Sequence, residues 1–325
     1  MKVGMITRMD RSGLANQTKA LYDLLKPDKT VVIDSTPFNH REQDKGLYPD
    51  GIINDGFITD EQAKYYLEDI DVLISCEIFY NDNLPKIARE MGVKTILQPN
   101  AELNPYFVWH NLPKPDAFFL PSRYYERETL RLRVPTYFCP PPITINPEYR
   151  EVNKKPGELN VLHVAGRIAA KDRNGTEIVN KINLPGVNIH IHNQAESDLQ
   201  NIEDIYKDDY HLVLMPRRYG GLCLPMLESL SYGLPVIMPN IDPNDRVLPL
   251  EWLTMARFNG QIRTKRVIDY FLPMQADIES KLVEFKDMDN DTYQAERLKA
   301  KDLYDKYKSG WNKWFDYINK VVQKT

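Results

Sequence analysis

Apolar residues in this chain gather in short runs rather than in long alternating stretches. Residues 3–6, 30–33, 71–76, 94–98 and 117–120 form such runs in the first part, and residues 159–165, 212–215 and 235–238 in the second. A short apolar run without alternation marks a parallel strand covered on both faces. Residues 187–191 read as one more strand. Between the strands lie segments with helical spacing, at about residues 16–25, 60–69, 84–91, 124–132 and 176–182. Strand and helix therefore alternate, which predicts an α/β chain built on parallel sheets wound with helices on both sides.

Other stretches interrupt this rhythm. Residues 35–56 read as irregular, and residues 142–158, rich in proline and charge, read as a linker. The division that follows is a first Rossmann-like domain at 1–141, a second at 159–305 and a C-terminal helix at 306–325. Residues 268–270 and 275–285 lead into a strongly helical stretch from about 292 to 322, where Trp311, Trp314, Phe315 and Ile318 share one face. That stripe reads as core. Ligands of such sheets sit outside the carboxyl ends of the strands, which nominates Arg8, Glu77, Asn100, Glu102 and Ser122 in the first domain.

The second domain is organised around HLVLMPRRYGGLCLPMLESLSYGLPVIMPN, residues 211–240. It reads as a strand, a loop with Gly220 and Gly221, a helix opening at Pro225 and stopping at Gly233, and a second strand. Proline at the first helical position costs no hydrogen bond, and glycine suits the stop. Bare amides at such a helix start face the carboxyl end of a sheet and bind anions, phosphates above all. Glu228 stands one turn into the helix. Either it stabilises its own helix start, worth about 0.3–1 kcal/mol, or it accepts hydrogen bonds from a ribose diol while the amides of Gly221 and Leu222 hold phosphate.

Composition narrows the class. A chain of 325 residues has room for two domains with their own cores. Apolar content of 42% with 27% charged residues is that of a soluble globular protein. No run is long enough for a transmembrane segment, and residues 1–10 lack the apolar region of a secretory signal. Three scattered cysteines make neither a disulfide frame nor a zinc site, so a reducing cytoplasmic location is expected. The net charge of -4 counts against a wholly basic, nucleic-acid-binding surface, although local basic stretches remain.

The run Gly220-Gly221-Leu222-Cys223-Leu224-Pro225-Met226-Leu227-Glu228, followed by Gly233-Leu234-Pro235-Val236-Ile237, resembles the donor-binding motif of retaining GT-B glycosyltransferases of the large family-four-like group. Their pattern is Glu, Gly, Phe, Gly, Leu, Pro, two residues and Glu, then Gly-x-Pro-Val-Ile; here the second Glu is kept and Gly220 replaces the first. The resemblance implies the GT-B fold: two Rossmann-like domains facing a central cleft, with the C-terminal helix crossing back to the first. It implies a hexosyltransferase that moves a sugar from a nucleoside diphosphate sugar, UDP-sugar by default, to a hydroxyl with retention. Gly166-Arg167 and Lys171 match the Arg and Lys that contact the donor diphosphate in that family. Arg167, Lys171 and Glu228 are therefore the catalytic candidates, and Gly13, Gly220, Gly221 and Leu222 the donor-binding ones. Charge developing on the leaving diphosphate calls for cations fixed in advance, Arg167 by paired bonds and Lys171 as a point charge. Arg217 and Arg218 add to the field, at least one of them reading as surface charge.

Departures leave parts unassigned. The first Glu of the motif contacts donor-sugar hydroxyls in the family, so sugar choice is open. The cleft His of the family has no counterpart at Gln98-Pro99-Asn100; His110, beside Trp109, reads as packed. His190 and His192 lack company for a metal site, Asp69 and Asp71 read as structural, and residues 287–291 lack a calcium-loop pattern. No cofactor or metal is expected beyond the donor as co-substrate. Two other readings stay open: a phage-type DNA glycosyltransferase acting on a hydroxymethylated base, with Arg123, Arg127, Arg131 and Arg133 at helical spacing, and a sugar-nucleotide binder without transfer activity. Acceptor and oligomeric state are not legible in the sequence.

Overall fold

The computed structural model describes residues 1–10, 12–37, 43–145, 147, 152–166, 172–193, 202–263 and 267–323. The chain forms two compact units, Met1–Thr144 with Ser309–Thr325, and Ile145–Arg263 with Val267–Lys308.

In the first unit the elements run β1 (Val3–Arg8), α1 (Gly13–Leu25), β2 (Lys29–Asp34), β3 (Ile52–Asp55), α2 (Asp60–Leu67), β4 (Val72–Cys76), α3 (Leu84–Glu90), β5 (Lys94–Gln98), β6 (Ala117–Leu120), α4 (Glu126–Leu130) and β7 (Thr136–Phe138). The strands pair in the order β3-β2-β1-β4-β5-β6-β7, parallel throughout. Successive residues serve opposite faces, as a strand requires. Ile6, Leu73, Leu97 and Phe118 pack with Leu67 of α2 and Ile87 of α3. Met5, Ile74, Ile96 and Phe119 pack on the other side with Leu21 of α1. This double burial is why the strands are apolar without alternation. Residues 35–56 are not wholly irregular, because β3 lies within them as an edge strand.

The second unit contains β8 (Leu159–Gly166), α5 (Thr176–Val179), β9 (Val187–Asn193), β10 (Leu212–Leu214), α6 (Leu224–Ser231), β11 (Val236–Pro239), β12 (Leu253–Thr254), β13 (Ala256–Arg263), β14 (Val267–Pro273), α7 (Gln275–Asp287) and α8 (Asn290–Lys308). Its parallel sheet has the order β12-β11-β10-β8-β9. The antiparallel pair of β13 and β14, with a register shift between Phe258 and Gln261, stands where the sequence pattern pointed only to a lead-in for helices.

The long C-terminal helix of the sequence pattern is two helices, α8 and α9 (Lys313–Gln323), broken around Gly310. Trp314, Ile318 and Val321 are the buried face of α9, against Val3, Leu21 and Phe119 of the first unit, whereas Phe315 is exposed. Trp314 is fully buried, meets Phe119 edge-on at 5.1 Å, and donates from Nε1 to the Pro140 carbonyl at 3.0 Å. Trp314→Ala is expected to destabilise the first unit by about 3–5 kcal/mol, read as a lower urea midpoint; a change below about 1 kcal/mol would show that α9 is not part of that core. Among the described residues no helix is long and apolar enough to cross a membrane.

Candidate functional site

The second unit by itself assembles the candidate site. Because β8 and β10 are hydrogen-bonded neighbours, the segments leaving their carboxyl ends run side by side. Contacts within and between them fix their course. Asn174 donates from Nδ2 to the Ala165 carbonyl at 2.7 Å, and the Arg218 N–H donates to the Arg173 carbonyl at 2.9 Å. Buried His163 lies between the Leu214 carbonyl, 2.8 Å from Nδ1, and Thr176 Oγ1, 2.9 Å from Nε2. Burial pushes the His163 pKa down, so the ring serves as a neutral brace between the segments.

Two guanidinium groups converge on the glycine loop. Gly220 has φ 116°, and a Cβ there would collide with Nη2 of both Arg173 and Arg217. Arg173 donates from Nε to the Tyr219 carbonyl at 3.3 Å and lies over the Tyr219 ring at 5.1 Å. Arg217 is buried, its Nη1 3.4 Å from the Leu222 carbonyl. Among the described residues no group accepts from the main-chain N–H groups of Gly220, Gly221 and Leu222. The helix α6 then opens at Cys223 without a side-chain cap and with Pro225 in its first turn. Arginines, bare amides and a helix start at the carboxyl edge of a parallel sheet form an anion-binding arrangement.

Arg218 does different work. Also buried, it pairs with Glu177, stands 4.0 Å from Asp172, and donates to the Tyr270 hydroxyl of β14. Its charge is thus neutralised within the fold. Neither Arg217 nor Arg218 is a surface charge, which corrects the expectation drawn from sequence.

Glu228 faces inward and is 2% exposed. The Tyr206 hydroxyl donates to its Oε2 at 2.8 Å. Burial pushes the carboxyl pKa up to about 7, and the bond from Tyr206 pulls it part of the way back. Tyr206 is itself buried and stacks on Tyr232 with centroids 5.3 Å apart.

Of the candidates read from sequence, Gly220, Gly221, Leu222 and Glu228 thus share one loop and helix. Arg167 and Lys171 lie outside the described residues. Gly13 belongs to the first unit, as the exposed first residue of α1, where a Cβ would meet open space. Sequence reasoning missed Arg173 and Tyr206; both come to the site through pairing between distant segments.

Among the first-unit nominees, Arg8 and Glu77 come together, Nη1 to Oε2 at 3.7 Å, with Asp10 on the other side of the guanidinium. Glu102 is buried, while Asn100 and Ser122 stay half-buried. His110 is exposed rather than packed, as is Trp109 beside it. The arginine series of residues 123–133 does not lie on one helix. The helix α4 spans only Glu126–Leu130, Arg123 precedes it and pairs with Glu126 at 2.7 Å, and Arg133 has φ 57°.

No family model and no curated protein matches the chain. Solved structures do. The lipopolysaccharide outer core galactosyltransferase WaaB, in its apo form, aligns with a TM-score of 0.58 at 13% identity, over 96% of this chain and 98% of that one. HepE of Anabaena, in complex with UDP and glucose, aligns with a TM-score of 0.64 at 8% identity, over 98% and 100%. An alpha-glucosyltransferase in complex with UDP and a 13-mer DNA containing an HMU base aligns with a TM-score of 0.60 at 12% identity, over 100% of both chains. At such identities the likeness is one of fold, and the chain has the GT-B fold of these glycosyltransferases.

Proposed function

We propose that the protein is a glycosyltransferase that moves a sugar, with retention, from a nucleoside diphosphate sugar to a hydroxyl acceptor, with UDP-glucose as the default donor. The observation that carries this reading is the convergence of Arg173 and Arg217 on Gly220, directly ahead of the α6 helix start and Glu228. Breaking the bond from sugar C1 to the diphosphate leaves negative charge on the leaving group. Donors fixed in advance at that charge lower the barrier, each by about 2.7–4 kcal/mol where one has been removed elsewhere. Arginine suits the task because its planar fork can hold phosphate oxygens in pairs. In this reading guanidinium groups and main-chain N–H groups neutralise the diphosphate without a metal ion, Arg167 and Lys171 reinforce them, and Glu228 accepts from the ribose diol. The first unit is left to bind the acceptor.

A second reading concerns the acceptor. It takes the hydroxyl to be that of a hydroxymethylated base in DNA, since one structure of the same fold, an alpha-glucosyltransferase, is in complex with UDP and a 13-mer DNA containing an HMU base. Turnover on such DNA that falls steeply with salt would support it; salt-independent turnover on a free sugar would remove it.

The test is a panel of UDP-, GDP- and ADP-sugars, assayed for binding and for slow release of free sugar, with and without chelator. One donor is expected to bind and to turn over in chelator, and Lys171→Ala and Glu228→Ala are expected to weaken both properties. Binding without any release of sugar would leave a non-catalytic binder. If no donor binds, or if both substitutions leave affinity and turnover untouched, the assignment is wrong.

A further inference from the structure

Glu228 is gripped at one oxygen. Tyr206 donates to Oε2, and among the described residues no donor reaches Oε1. Tyr206 ends a short 3-10 turn, Ile202–Tyr206, and its ring is held by stacking on Tyr232 with an interplanar angle of 20°. Tyr232 is fixed in turn: its carbonyl and that of Gly233 accept from buried Arg297 of α8, at 3.2 and 3.3 Å. The one buried cation that α8 brings to α6 is thus spent on the negative end of that helix, not on Glu228. Tyr293 of α8 is turned to the His211 carbonyl, β11 presents only apolar side chains, and Cys223 at the helix start stands near Tyr206. Among the described residues the phenol is therefore the group that favours an ionised Glu228.

We propose that Tyr206 is a positioning residue of the donor site: its hydroxyl occupies Oε2 and so presents Oε1 of Glu228 to the ribose diol of a nucleoside diphosphate. The proposal rests on the donor-site reading above. Without the hydroxyl, a carboxyl buried this deeply would keep its proton to higher pH and could no longer accept as an anion. Nucleotide affinity should then become a matter of pH.

Tyr206→Phe keeps the stacked ring and removes one O–H. In protein carrying 13C-labelled glutamate, the Glu228 resonance is identified by its loss in Glu228→Gln. Its titration midpoint is expected to rise by about one to two pH units in Tyr206→Phe, the size of a hydrogen bond to a charged group. Calorimetry with UDP, GDP and ADP should show the nucleotide that binds the wild type binding Tyr206→Phe about tenfold more weakly near pH 7, with the deficit closing towards about pH 9. An unmoved midpoint, or a loss of affinity equal at every pH, would overturn the proposal, since a merely structural role predicts both. In a Glu228→Gln background no carboxylate is left to strand, and a pH-dependent effect of Tyr206→Phe there would also overturn it. Should the wild type bind none of the three nucleotides, the donor site itself fails and Oε1 has no ribose to meet. A shifted midpoint in that case would separate this failure from that of the contact between Tyr206 and Glu228.

Discussion

Gly220→Ala is expected to weaken nucleotide-sugar binding by a factor of about 100 or more while leaving the far-ultraviolet circular dichroism unchanged. Two effects act together. The φ of 116° at Gly220 lies where residues with a side chain are strained, at a cost of roughly 1–3 kcal/mol. The new Cβ would also occupy the space now filled by Nη2 of Arg173 and of Arg217, which are end groups of flexible chains and can swing away. The fold survives that movement; the cation pair does not. Each charge-assisted bond to a diphosphate is worth about 1.5–3 kcal/mol, so losing two is enough for the factor given. Calorimetric titration of the donor found by screening checks this, and an affinity within about threefold of wild type would show that the two arginines do not meet the ligand at this loop.

The same loop shows how far sequence could lead. Gly220, Gly221, Pro225 and Glu228 lie within nine residues, and their order alone describes a loop feeding a helix start. Arg173 and Tyr206 carry no comparable mark. Arg173 reaches Tyr219 from 46 positions away because the sheet places β8 beside β10, and Tyr206 reaches Glu228 from 22 positions away, from a short turn ahead of β10 to the helix after it. At least one of Arg217 and Arg218 read as surface charge, and for Arg218 the reason is the same, since the carboxylate that neutralises it stands 41 residues earlier at Glu177. In the fold, strands buried on two faces were legible: the neighbours Phe118 and Phe119 belong to opposite cores. The edge strand β3 was not, because only Asn54 of its four residues is buried. The pair β13 and β14 was hidden by mostly exposed or half-buried residues and by a bulge near Gly260. Helical spacing ran straight through Gly310, where a single glycine was too weak a mark to divide α8 from α9.

Glu228→Gln is expected to stabilise the second unit at about pH 8 and to leave it nearly unchanged at about pH 4, because the wild type carries a costly buried anion only at the higher pH. Burial raises the Glu228 pKa from 4.5 to about 7 in the folded protein. Below the unfolded value both states hold the proton, and the carboxyl costs nothing in charge. As pH rises from 4.5 towards 7 the unfolded chain releases its proton first, the folded chain binds more protons, and stability falls. Above 7 both states are ionised and the whole penalty is present. At 1.36 kcal/mol per unit it is on the order of 3 kcal/mol. Glutamine keeps the shape and an acceptor for Tyr206 but has no proton to release, so it should recover most of that amount. Urea unfolding of wild type and variant at the two pH values measures the difference directly, since all other titrating groups cancel. A gain equal at both pH values would mean that Glu228 titrates as an ordinary carboxyl. A gain confined to high pH would instead mark Glu228 as a group held in place at the expense of stability, as expected of a buried carboxylate whose acceptor capacity is kept for a ligand rather than for the fold.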